Sequence, residues 1–221
     1  MNSDQQFWWN WWVNLIVAVS TFLAVLVALF GERLRVRIFP PLLKLKLVRQ
    51  EGEKTRLTTS VPGESGYTTE YVDDARFYHL RVSNERRWSP ATSVRVYLTR
   101  LEEPGPSEAL QLVWVGNVPI RWRDQEVVPL LQTIGAAADC DLCRVERRGG
   151  LFLMPLIVPN SLEAHRTGKC KLVVTLQARS TEADSEVLRV GIYWDGRWED
   201  GDAEMKKHLV IDEIPSPPLK E

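Results

Sequence analysis

From Gln5 to Gly31 the chain carries no charged residue, and Trp11 to Phe30 reads WWVNLIVAVSTFLAVLVALF. At the rise of an α-helix that stretch spans about 30 Å, the thickness of a bilayer's hydrocarbon core. Asn14, Ser20 and Thr21 are its only polar members, so it lacks the polar stripe that a helix half-buried in a soluble domain would show. Trp8, Trp9, Trp11 and Trp12 crowd its start and point all around a helix. One core face cannot receive all four, whereas the headgroup level of a membrane suits indoles that bury a ring and keep an N–H wet. A cleaved signal peptide is the rival reading, but there is no basic leader, the apolar run is long, and no small-x-small site precedes the first charges.

The flanks predict orientation. Residues 1–30 contain one acid and no base, while 31–50 contain Arg33, Arg35, Arg37, Lys44, Lys46 and Arg49 against Glu32. The positive-inside rule then puts the N-terminus outside and everything after the span in the cytoplasm. Arg33, Arg35 and Arg37 are also placed to meet anionic headgroups. Because they alternate with Leu34, Val36 and Ile38, the same residues could open the first strand of the next domain. The whole chain has a formal charge of -1, so the chain beyond residue 50 is mildly acidic and lacks the basic surface of a nucleic-acid binder.

Beyond Pro40-Pro41 the period changes to two. Leu42–Arg49, Arg76–Ser83, Val94–Thr99, Lys169–Arg179 and Glu186–Trp194 each set an apolar file against a more polar one, Leu110–Val115 reads as a further strand, and turn signals come about every ten positions. No amphipathic helix of ten residues interrupts them. The expected fold is mainly β, an immunoglobulin-like or related two-sheet β-sandwich preceded by one transmembrane helix. The expected divisions are an aromatic and membrane segment over 1–32, a basic juxtamembrane segment with first strands over 33–49, a cytoplasmic sandwich over 50–212 and a Pro-rich tail over 213–221. Residues 50–70 read as a long loop or an irregular hairpin around Leu57–Val61.

Motifs for chemistry are sparse. The chain holds no GxSxG, HExxH, GxxxxGK[ST] or GxGxxG, and its three histidines have no partner in sequence. His79 falls on the Phe77 and Arg81 side of a strand. Cys140, Cys143, His165 and Cys170 contain the donor set of a closed zinc site, although Cys170 also sits in a core-filling alternation where a thiol is a small hydrophobe. Asp195, Glu199, Asp200 and Asp202 crowd one turn that could hold a cation, or could be a wet loop with Trp198 folded back over the core. Arg86, Arg87 and Trp88 in one turn, and Arg121, Trp122 and Arg123 in another, combine a guanidinium fork with a rigid apolar plate, a pairing suited to partner surfaces. The chain is therefore expected to be a noncatalytic membrane-anchored binding, sensing or assembly module without an obligatory cofactor; the alternatives are a membrane-bound metal protein or enzyme using the Cys/His cluster, and a pore-forming or signalling membrane effector. Its expected partners are the bilayer, a protein or small ligand in the cytoplasm, and further copies of itself through the span.

Overall fold

The computed structural model of the chain describes residues 3–62, 68–123 and 131–215. Its first unit is a single helix, α1 (Ser3–Ile38), whose segment Gln6–Gly31 is long and apolar enough to cross a membrane. Inside that segment the Ser20 and Thr21 hydroxyls donate to the Val17 carbonyl at 3.0 and 2.8 Å, so neither presents a bare polar group to a lipid-like surrounding. Trp8, Trp11 and Trp12 meet edge to face, with ring centres 6.1 and 5.0 Å apart.

The helix runs on through Arg33, Arg35 and Arg37, which corrects the reading of these residues as a first strand. Nothing in RLRVRI breaks a helix that has already nucleated, and propagation adds one hydrogen bond per residue. The stop comes at Pro40-Pro41, which withdraw two backbone donors and restrict Phe39 before them. The Phe39 N–H, donating to the Arg35 carbonyl at 2.7 Å, is the last helical bond.

The second unit, Pro41–Glu221, is mainly β. Its elements are β1 (Leu43–Leu47), β2 (Glu53–Pro62), β3 (Thr68–Asn84), β4 (Ala91–Pro104), β5 (Leu110–Pro119), β6 (Gln132–Ile134), β7 (Ala137–Glu146), β8 (Gly150–Leu153), β9 (His165–Arg166), β10 (Cys170–Arg179), β11 (Leu188–Trp194), α2 (Asp202–His208) and β12 (Leu209–Ile214). They form two antiparallel sheets. The first has the order β1-β3-β7-β8-β9 with β2 also on β3, and the second β12-β11-β10-β4-β5 with β6 also on β4. Tyr78, Leu80 and Val82 of β3, Val94, Val96 and Leu98 of β4, and Leu172, Val174 and Leu176 of β10 all belong to one buried cluster, so both sheets face the same core.

Three local features set up the site. The segment 50–70 supplies β2, paired with β3 from Glu53↔Phe77 to Pro62↔Thr68; residues 63–67 between the paired strands lie outside the described residues. Residues 120–123 leave the edge of the second sheet and join the first, through bridges Ile120↔Pro155 and Trp122↔Cys140. The expected tail begins later than residue 213, because β12 keeps Glu213 and Ile214 paired with Val190 and Arg189, and residues 216–221 lie outside the described part.

At the end of the core stands an arginine. Arg76 follows the inward alternation of β3 and is fully buried. One of its terminal nitrogens donates to Asp202 at 2.6 Å and more weakly to the Glu51 carbonyl at 3.4 Å; the other donates to the Asp200 carbonyl at 2.6 Å. Trp198 packs against the core with the guanidinium 5.8 Å from its ring centre. Lys54 and Arg147 reach Asp200 at 2.6 and 3.2 Å. The acidic turn is thus organised around cations, and those cations belong to the chain itself.

Candidate functional site

The outward positions of β3 are Phe77, His79 and Arg81, and those of β7 across from them are Arg144, Asp141 and Asp139. Two irregularities bracket His79. On one side the β3–β7 register shifts between Tyr78 and His79, so that Leu142 is an extra residue and β7 bulges. On the other side β1 ends opposite Leu80 and β2 begins opposite Phe77, with Val48 still bonded to the His79 carbonyl at 3.0 Å. Residues 49–52 therefore detour away from the sheet. Gly52 allows the return: its φ is +70°, and a Cβ there would lie 2.7 Å from the Tyr78 ring. The detour leaves an open cleft of about 410 Å³ over His79, walled by Val48, Arg49 and Gly52, with Glu53, Phe77, Arg81, Arg123 and Asp139 around it. A second hollow of about 290 Å³ shares Glu53, Phe77, His79 and Arg123 and extends along β2 to Leu57.

The polar groups here are ordered by cross-strand pairs. His79 has a side chain only 9 % exposed, and its Nδ1 lies 2.8 Å from Asp141 Oδ1. A carboxylate only accepts, so Nδ1 carries the proton and Nε2 keeps its lone pair in the neutral ring. Nε2 sits 3.8 Å from Glu53 Oε2, beyond a hydrogen bond. The other oxygen, Glu53 Oε1, accepts from Arg123 at 2.8 Å. Arg81 grips Asp139 with a two-pronged bond, Nε to Oδ1 at 2.8 Å and Nη2 to Oδ2 at 2.9 Å. That grip holds the Asp139 carboxyl below the usual carboxylate range and raises Arg81 in turn. Phe77 lies nearly parallel to the His79 ring with centres 6.3 Å apart. Arg144 covers the next part of the face, its guanidinium 4.9 Å from the Phe152 ring centre, and His165 stacks on the same phenyl at 4.0 Å.

The residues singled out in sequence end up in different places. Arg86, Arg87 and Trp88 form the turn between β3 and β4, where Trp88 is 55 % exposed. Trp122 is 2 % exposed, which corrects its reading as a surface plate: its segment bridges to β7 at Cys140, and its indole fills the core. Arg121 and Arg123 alternate away from it, and Arg123 reaches the cleft.

Cys140 and Cys143 both point inward and are fully buried. Three apart on a regular strand they would face opposite sides, and the bulge at Leu142 brings the second back inside. Burial pushes all three thiols up, Cys170 to about 11. His165 lies on the outer face with Phe152, so the structure does not bring it together with the inward thiols. Among the described residues no group of three His, Cys, Asp or Glu side chains is disposed to hold a metal ion.

Sequence reasoning missed Glu53, Arg81, Asp139 and Asp141, and saw His79 only as a histidine on a strand. A signal was present: His79-x-Arg81 and Asp139-x-Asp141 put hydrogen-bond donors on one strand and carboxylates on another at outward positions. Their pairing depends on register, which neither strand carries alone. Comparison with protein-family models, with curated proteins and with solved structures gives no match.

Proposed function

We propose that the chain is a membrane-anchored binding or sensing module in which α1 crosses a bilayer and the cleft over His79 receives a small polar ligand. In this reading the N-terminus lies outside and the β domain, an immunoglobulin-like or related sandwich, lies in the cytoplasm. The observation that carries it is the cleft: a buried histidine, oriented by Asp141, opens its remaining nitrogen toward a hollow ringed by Glu53, Arg49, Arg81 and Arg123. A surface meant only to be wet has no use for a buried imidazole held in one tautomer. The anchor is supported by the uncharged helix with its tryptophan collar and by the basic residues at its C-terminal end.

Hydrogen–deuterium exchange of the full-length protein in lipid nanodiscs tests the site. On adding a small-molecule extract of cells, protection is expected in 48–53, 77–81 and 139–141; protection confined to other segments, or none, rejects the cleft as the binding site. Orientation is tested separately with Ser3→Cys and Ser216→Cys in intact cells. A membrane-impermeant thiol reagent is expected to label position 3, and labelling only at 216 reverses the topology.

A further inference from the structure

We infer that the ligand of this cleft is a small zwitterion, an aminocarboxylate with a primary ammonium at one end and a carboxylate at the other. The inference rests on the cleft being the binding site and goes on to the hydrogen-bond capacity its residues leave open. Asp141 engages His79 Nδ1, Asp139 engages two of the three Arg81 nitrogens, and Arg123 engages one oxygen of Glu53. The groups that those pairings leave open on the lining residues fall into two sets. The acceptors are His79 Nε2 and Glu53 Oε2, 3.8 Å apart. The donors are Arg81 Nη1 and the guanidinium of Arg49, which makes no hydrogen bond or ion pair among the described residues.

Two acceptors at that separation are bridged by one ammonium, which has three hydrogens and can direct one to each. Guanidinium matches the planar fork of a carboxylate. A simple anion would answer Arg49 and Arg81 and give the histidine and glutamate acceptors no donor of its own; a simple amine would do the reverse. A ligand bearing both groups satisfies both sets. Around the two hollows Arg49, Arg56, Arg81 and Arg123 stand against Glu53, Asp139 and Asp141, so both signs of charge are at hand for a ligand that carries both. A hollow of about 410 Å³ admits a molecule of amino-acid size with room to spare.

The experiment is calorimetric titration of the full-length protein in nanodiscs with L-alanine and γ-aminobutyrate, which differ in the spacing of their two charges, and with methylammonium, acetate and inorganic phosphate. At least one zwitterion is expected to bind saturably, with each single-charge probe weaker by about tenfold or more, a difference of about 1.4 kcal/mol. Glu53→Gln and Arg49→Ala should each weaken zwitterion binding by about tenfold, while Arg87→Ala, on a remote turn, leaves it unchanged. Acetate or phosphate binding as tightly as the zwitterions, methylammonium doing so, or zwitterion binding that survives both Glu53→Gln and Arg49→Ala overturns the assignment. If no probe binds while the extract still protects 77–81 and 139–141 from exchange, the zwitterion is wrong and the cleft stands; if neither occurs, both fail.

Discussion

Arg86-Arg87-Trp88 and Arg121-Trp122-Arg123 are nearly the same three residues in a different order, yet Trp88 is 55 % exposed and Trp122 is 2 % exposed. The first triplet closes a turn between β3 and β4. The second is drawn into the first sheet, with the Arg121 N–H donating to the Met154 carbonyl at 3.0 Å and the Asp141 N–H donating to the Arg121 carbonyl at 2.8 Å. Once the backbone is paired on a strand, side chains alternate, and the tryptophan must go in when the arginines go out. Local composition set neither outcome; strand pairing set both. The same contrast holds for arginine, since Arg76 is buried at the end of the core and Arg87 is exposed.

Substitutions can break this contrast. The largest effect is expected for Trp122→Ala, which empties core volume and should lower unfolding stability by about 3–5 kcal/mol in a denaturant titration. Arg76→Ala comes next. It removes the shared partner of Asp202, the Asp200 carbonyl and the Glu51 carbonyl, and should cost about 3 kcal/mol. Arg76→Lys should recover only part of that, because an ammonium cannot hold two directions with a rigid fork.

A smaller effect is expected with pH. Asp139 is a stronger acid when folded, chiefly through its Arg81 hydrogen bonds. Its pair therefore stabilises the fold fully above the ordinary value of 3.8 and loses that contribution as pH falls through the lower folded value. Asp200, held down first by Lys54, adds to the same acid window. In urea titrations from neutral pH downward, Asp139→Asn should make the acid loss of stability shallower; an unchanged slope would show that the pair contributes nothing. The smallest effects belong to the exposed members of the contrast, with Trp88→Ala and Arg87→Ala each expected within about 0.5 kcal/mol of the parent. A large loss for either would mean that the β3–β4 turn is organised around its side chain.

What was legible in the sequence is what repeats along the chain. The apolar helix could be read from length alone. The alternation of Cys170, Leu172, Val174, Leu176 and Ala178 and of Leu188, Val190, Ile192 and Trp194 marked the core-facing files, and all but Cys170 and Leu188, which are partly buried at the strand starts, are fully buried. The segment Glu53–Pro62 was hard to recognise because its only aliphatic side chains before Pro62 are Leu57 and Val61, four apart, and so polar a run has no period of two to show. RLRVRI satisfied a period of two by chance, and the helix behind it decided its state. The candidate site was the least legible part, because Glu53, His79, Asp141 and Arg123 come from four segments and meet only through register.

Gly52 bears on how this sequence can change over time. It adopts a left-handed backbone, and any side chain there would run into the ring of Tyr78. Substituting position 52 alone would have to move the detour or the tyrosine, and Gly52 is itself part of the wall of the hollow over His79. Descendants of this gene that keep the hollow must therefore keep glycine at 52, while lineages that abandon it are free to vary positions 52 and 78 together.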